Sequence, residues 1–405
     1  MRLLSRVASG ALVLLVMAGC GTQAATPNLL VPTPSMTSGA SMTSGASSAT
    51  SAAPGTGATP SAIPVGKFTR TGSMTTPRRS QTDGLLPDGR VLLVGGQDDN
   101  GTTLASAEIF DPKTGRFTAT GSMKDPRWGQ TETVLQDGRV LVTGGENDGV
   151  VPLDSAEIFD SSKTTFASVG KMSVGRVNQT ATLLQSGKVL IAGGADVNNY
   201  GIDSAEIFDP STNTFTPTGK MTSGRWGQTA TLLKDGTVLL TGGQDENGDT
   251  LATAEIYKPD SGTFSATGSM TTERFGQTAT LLANGQVLVA GGVDANQTLL
   301  QSAELFDPAA GTFTATDAMT TTRVAHTANL LPNGLVLLTG GVDADGNGLA
   351  SAELFDPSDG SFTATGSLND ARGNHTATTL ANGQVLVAGG ADADMVYDSA
   401  ELYQP

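Results

Sequence analysis

The sequence predicts an all-β protein, a seven-bladed β-propeller of four-stranded blades. Three observations lead there: a repeat of period 49, a glycine pair at one phase of it, and a short apolar run entering each pair. The pairs are Gly95-Gly96, Gly144-Gly145, Gly193-Gly194, Gly242-Gly243, Gly291-Gly292, Gly340-Gly341 and Gly389-Gly390, with no drift along the chain. Composition agrees, since 52 glycines, 38 % hydrophobic and only 5 % aromatic residues suit many short strands and tight turns better than helices on a large apolar core.

Each unit carries the same succession. In the fourth, residues 228–233 alternate small polar and apolar side chains and predict a first strand. Lys234-Asp235-Gly236 is a tight-turn signal, and residues 238–241 form a short buried strand into the glycine pair. Residues 254–257 make the third strand, and after Asp260-Ser261-Gly262 the fourth opens at Thr263-Phe264. The chain ends break this order in a complementary way. The repeat begins with Phe68-Thr69, a fourth strand without its first three, and stops after residues 400–403, a third strand without its fourth. The amino-terminal strand is therefore expected to complete the last blade, which removes the free edges that an open ring would expose.

The propeller is assigned to residues 63–405. Residues 21–62 hold no charged side chain and are mostly Ser, Thr, Ala, Gly and Pro, a composition that cannot bury enough apolar surface to order itself, so they read as a flexible tether. Residues 1–20 begin with Arg2 and Arg6, continue through an apolar run over 11–17 and end in Ala18-Gly19-Cys20. That order is a secretory signal, too short for a membrane span. Met17-Ala18-Gly19-Cys20 resembles the bacterial lipobox, which implies lipidation at Cys20, an extracytoplasmic location and attachment to the cell envelope through that lipid alone. Cys20 is the only cysteine, so the folded part has no disulfide, no cysteine zinc site and no thiol nucleophile.

Within each unit an Arg is followed three residues later by Gln or His and then Thr. The apolar strand closes on the glycine pair, Ala-Glu-(Ile/Leu)-(Phe/Tyr) follows, and Phe68, Phe117, Phe166, Phe215, Phe264, Phe313 and Phe362 mark the fourth strands. This arrangement resembles the kelch repeat over about residues 63–405, with Phe where Trp is usual, and is closest to the bacterial, galactose oxidase-like branch. In the galactose oxidase family a copper-ligating His, preceded by Tyr and supported by a cysteine-crosslinked tyrosine, occupies a place similar to His326 and His375. Here the preceding residues are Ala325 and Asn374 and no cysteine remains, so the oxidase copper site is not expected. The two histidines read as stand-ins for a buried Gln.

Arg78, Arg127, Arg176, Arg225, Arg274, Arg323 and Arg372 share one phase, and Glu108, Glu157, Glu206, Glu255, Glu304, Glu353 and Glu401 share another. Matched opposite charges at fixed phase read as ion pairs of the blade scaffold, together with glycines such as Gly144, Gly145, Gly242 and Gly243. The formal charge of −16 argues against a nucleic-acid partner, and a monomer is expected.

The loops after the glycine pairs vary and are acidic, whereas the hairpins on the other face are short and alike. Asp98, Asp196, Asp245, Asp294, Asp343 and Asp392 each stand two residues before another oxygen-bearing side chain, so binding is expected on this face. Asp343, Asp345 and Asn347 match the first half of a calcium loop that then lacks its closing Glu, Leu354 standing there. Turn chemistry is the alternative, and calcium is the one cofactor left open. Trp128, Trp226 and Phe275 follow their blade arginines and, if exposed, would form a sugar platform; packing between blades is the alternative. No carboxylate pair is expected to stand apart from the repeat, and no Ser-His-Asp order, phosphate loop or His-Glu metal motif is present. The functional expectation is a non-enzymatic binding module for a protein or glycan, with a carbohydrate-active envelope enzyme and a calcium-stabilised structural disc as alternatives.

Overall fold

A computed structural model describes residues 65–149 and 151–405; Cys20, the signal segment and the tether at 21–62 lie outside the described residues. The described chain forms seven four-stranded antiparallel sheets arranged as the blades of a closed ring. In the first blade the strands run from the axis outward as Thr82–Leu85, Val91–Val94, Ala107–Asp111 and Arg116–Ala119. The turn between the first two closes through Leu86 N–H to Arg90 O at 2.8 Å, with Gly89 at φ 87° and the Asp88 carboxylate accepting from Arg90 N–H at 3.1 Å. Asp-Gly in the sequence is therefore serving a tight turn for backbone reasons.

The second strand of each blade reads as an unbroken apolar run because both of its faces are covered. Val91, Leu92, Leu93 and Val94 are all fully buried. The two-residue alternation of a strand sends Leu92 and Val94 toward Val140, Val142 and Phe159 of the next blade, while Val91 and Leu93 meet Leu386 and Ala388 of the last. The core is thus a set of inter-blade layers rather than one central mass. At the rim each third strand lays an aromatic ring against the outer-strand Phe, as in Phe110–Phe117 at 4.9 Å and 46°.

The glycine pair marks where blades come closest. Gly95 and Gly96 have φ of 66° and 89°, and Gly96 N–H donates to Arg127 O of the next blade at 2.9 Å. A Cβ on Gly95 would stand 2.5 Å from that same carbonyl oxygen, so both the left-handed backbone and the contact require glycine. Beneath the pair lies the buried arginine. Arg127 donates through Nη1 to Gly144 O and Ser155 O at 2.7 and 3.1 Å, and through Nη2 to Ser155 Oγ and Glu157 Oε1 at 3.2 and 3.1 Å. Glu157 in turn accepts from Lys124 N–H and Asp125 N–H. All seven arginines are fully buried and paired with a glutamate, as their phases suggest; the phases leave open whether the pairs form within or between blades, and each forms within its own blade. Desolvation pushes the Arg127 guanidinium down from its ordinary range, and the Glu157 charge and hydrogen bond oppose that.

The ring closes as the chain ends imply. Lys67–Arg70 pairs antiparallel with Ala400–Gln404 in the register Phe68 to Tyr403, and those two rings lie 4.9 Å apart at 50°, matching the rim pairs of the continuous blades. Gln81 Nε2 donates across the closure to Ala388 O at 2.8 Å, as Gln130 does to Val94 O within the chain. Deleting residues 63–73 removes this strand and bares the edge at Ala400–Gln404, so the expected outcome in scanning calorimetry is a Tm lower by more than about 10 °C. A truncated protein with an unchanged melting curve would contradict the closure.

Candidate functional site

Successive strands of a blade alternate in direction, so the loops after the glycine pairs, the ends of the outer strands and the starts of the inner strands share one face of the disc. On that face the acidic loops are held by their own aspartates. Asp98 accepts from the N–H of Asn100 and Thr102, Asp196 from Asn198 and Tyr200, and Asp245 from Asn247 and Asp249. Asp294 accepts from Asn296 and Thr298, Asp343 from Asp345 and Asn347, and Asp392 from Asp394 and Met395. Asp343 also accepts from the Asn347 side-chain amide, which spends both of its oxygens inside the turn. Among the described residues no group of three or more His, Cys, Asp and Glu side chains is arranged to hold a metal ion.

The aromatic residues divide. Trp226 and Phe275 are 6 % and 3 % exposed and lie 6.0 Å apart, with Trp226 packed on Val177 and Ala195 and Phe275 on Val293 and Val324. Each follows its arginine into a short antiparallel bridge with the loop after the glycine pair, Trp226 to Gln244 and Phe275 to Val293. Both rings are packed between blades, so these two present no open face to a sugar. Trp128, bridged to Glu146, remains half-buried.

The strongest departures from the repeat meet at the axis. Residues 179–183, 228–232 and 277–281 all read Gln-Thr-Ala-Thr-Leu along the inner strand. The first blade has Asp83-Gly84 in place of Ala-Thr, the second has Glu132 in place of Ala, the sixth has His326 and Asn329, and the seventh has His375 and Thr379. Blades six, seven, one and two are consecutive around the ring, their inner strands touching in that order, so every departure falls on one side of the channel. There a cavity of about 440 Å³ is lined by Asp83, Glu132, His326, Asn329 and His375 among small polar residues. Its walls are the first residues of the inner strands, which places it toward the face that carries the variable loops. The expectation that no carboxylate pair stands apart from the repeat is thereby corrected.

The third residue of each inner strand faces the second residue of the next. Thr378 Oγ1 donates to the Asp83 carboxylate in this way. At the next step Gly84 faces Glu132, and a Cβ on Gly84 would stand 2.5 Å from Glu132 Oε1; the missing side chain makes room for the longer acid. Glu132 Oε2 accepts from Thr82 Oγ1 at 2.9 Å, while its Oε1 is inaccessible and has no hydrogen-bond partner. Burial pushes the Asp83 carboxyl up to about 6, against the hydroxyl of Thr378, which lowers it. Burial raises Glu132 well above the carboxylate range, and the neighbouring Asp83 charge adds to that.

The histidines line the same cavity as neutral rings. Where Gln130 reaches a carbonyl of the preceding blade, His326 and His375 instead place Nε2 at 3.1 Å from Thr278 Oγ1 and Thr327 Oγ1, and their Nδ1 atoms have no hydrogen-bond partner. Burial first, and the Arg372 charge second, lower His375 to about 3; burial and then Arg323 push His326 well below the ordinary imidazole value. No Lys or Arg lines the cavity.

A family model described as the kelch motif matches residues 78–124. Among solved structures, a fungal alcohol oxidase of the AA5 family, in complex with copper, matches with a TM-score of 0.66 and 18 % identity over 84 % of this chain and 77 % of its own. None of the curated proteins matches. The chain is thus a seven-bladed propeller carrying a kelch motif, and its likeness to the oxidase is one of fold.

Asp83 gives a pH test. Its folded-state value lies above its ordinary 3.8, so the stability tied to its protonated form is present at low pH and lost as pH rises through about 6. Asp83→Asn is expected to melt higher than the parent at pH 7.5, by on the order of 2 kcal/mol, and to flatten the profile between about pH 4 and 7 in calorimetry. Parallel profiles for parent and variant would count against the buried, unpaired acid.

Proposed function

We propose that this chain is a non-enzymatic recognition propeller, anchored by lipid at Cys20 on the outer side of a bacterial membrane, that docks a protein partner on the face carrying the loops after the glycine pairs. One observation carries this reading. Five of the six large hydrophobic side chains that are exposed among the described residues, Val151, Val174, Val197, Tyr200 and Met395, lie on that face. Four of them belong to neighbouring loops of the second and third blades, where Gly175, beside Val174, sits close against Pro152, beside Val151. Isolated exposed apolar residues are ordinary, but a group confined to one face and set among Asp148, Asp196 and Asp245 suits a partner with apolar anchors and a basic rim. The uniform turns of the opposite face offer no such contrast.

Two further points support the binding reading. Trp226 and Phe275 are committed to packing, which removes most of the proposed glycan platform. A copper centre of the galactose oxidase kind is disfavoured in this reading, because no Tyr or Cys lines the cavity at the axis and His326 and His375 follow Ala325 and Asn374. Fold likeness to an oxidase assigns no activity, because chemistry follows the site.

The test is a photo-crosslinking side chain placed at Tyr200, or at Asn284 on the opposite face, in cells carrying the full chain. The expected result is a discrete adduct from position 200 that disappears with Val151→Asp and Val197→Asp, none from position 284, and release of the protein from membranes with Cys20→Ser. Adducts from both faces alike, or from position 284 alone, would overturn the docking face, and a Cys20→Ser protein still in the membrane fraction would overturn the anchor.

A further inference from the structure

We propose that the cavity on the propeller axis is a binding site for a primary ammonium group, held between Asp83 and Glu132. The reasoning begins from charge. Burying an ionised side chain is costly unless a partner of opposite sign is supplied, and the blades obey this rule seven times over in their Arg–Glu pairs. Asp83 and Glu132 break it, since among the described residues neither has a cationic partner. Each must therefore hold a proton or meet a cation from outside.

The surroundings favour a built site over two stray acids. Gly84 stands where other blades have Thr or Asn, and its missing side chain is the space that Glu132 Oε1 occupies without a hydrogen-bond partner. His326 and His375, each 6 % exposed, line the same cavity and leave Nδ1 unpartnered. Burial first, and the nearby Arg323 and Arg372 charges after it, keep both rings neutral, so neither supplies a cation, while Asn329 in the same cavity leaves its Oδ1 acceptor without a partner. The cavity thus gathers acceptors and acids on one side and holds no fixed cation.

The ligand class follows from what the acceptors lack. An alkylammonium brings one charge and three N–H donors, which two carboxylates from adjacent blades and a third acceptor can satisfy. A hard divalent ion asks for six or more oxygen ligands, and the hydroxyls of Thr82 and Thr378 already donate to the two acids. A quaternary ammonium has no N–H to give and relies on the faces of Trp, Tyr or Phe, and none of these lines the cavity. The ammonium can come from a free amine or from a lysine side chain presented at the loop face. The inference stands on the axial residues alone and does not depend on the docking face.

The experiment is isothermal titration of the full chain near neutral pH in buffers of different ionisation enthalpy, with n-butylammonium, an acetylated and amidated Gly-Lys-Gly peptide, and tetramethylammonium as probes. The expected result is one site for n-butylammonium with net proton release, no heat from tetramethylammonium, and affinity reduced about tenfold or more in Asp83→Asn and in Glu132→Gln. Both variants keep the shape of the protonated acids, and their melting curves report that they are folded. Peptide binding as tight as that of n-butylammonium assigns the site to lysine side chains, and weaker peptide binding assigns it to free amines. No binding of n-butylammonium up to about 50 mM, or binding that persists in the double variant, would overturn the proposal.

Discussion

The buried Arg–Glu pair is the constraint on which the rest of the propeller depends. In each blade one guanidinium gathers the carbonyl of the first glycine of the pair, the backbone and hydroxyl just before the third strand, and the glutamate side chain. The glutamate then caps backbone N–H groups of the connection that arrives from the preceding outer strand. One ion pair therefore fixes three segments that have no regular ladder to hold them. Removing either member would leave a charge without compensation in the core, which costs about 3–5 kcal/mol in buried pairs. Sevenfold repetition of that penalty explains why the arginine and glutamate phases never vary.

A scaffold this uniform confines variation to places it does not use. The loops after the glycine pairs are one such place: an aspartate, or Asn147 in the second blade, closes the turn by accepting from backbone N–H groups, as Asp294 does with Asn296 and Thr298, and leaves side chains such as Tyr200 and Val197 free to differ. The inner strands are the other. Three consecutive blades keep Gln-Thr-Ala-Thr-Leu without change, and the four others place two acids, two histidines, an asparagine and a glycine around the same stretch of axis. Substitutions scattered by drift would not fall on one side of the ring, nor would a glycine vacate the space that the acid of the next blade fills.

The fold was legible because its signals are periodic or are located at chain ends. A 49-residue period with paired glycines needs no knowledge of contacts, and Phe68 without its inner strands meets residues 400–403 without their outer one, so ring closure follows from counting. The Arg–Glu pairing was legible for the same reason, as two charges at constant phase. The site was less so. Trp226 and Phe275 read in sequence as packing between blades or, if exposed, as a sugar platform, and their contacts with Val177, Ala195, Val293 and Val324 decide for packing. Asp83 and Glu132 are two among 39 acidic residues and sit in strands that already alternate small polar groups, so neither is conspicuous alone. The signal that finds them is alignment of the seven inner strands against one another, where both occupy the column that is Ala in the other five.

The central claim is that this axis holds two acids with no cation to neutralise them. Carbon-13 NMR titration of the side-chain carboxyls, assigned with Asp83→Asn and Glu132→Gln, measures it directly. The account predicts that Asp83 titrates near 6 and that Glu132 titrates well above its ordinary value. Both carboxyls titrating in the ordinary carboxylate range, near 4, would contradict it.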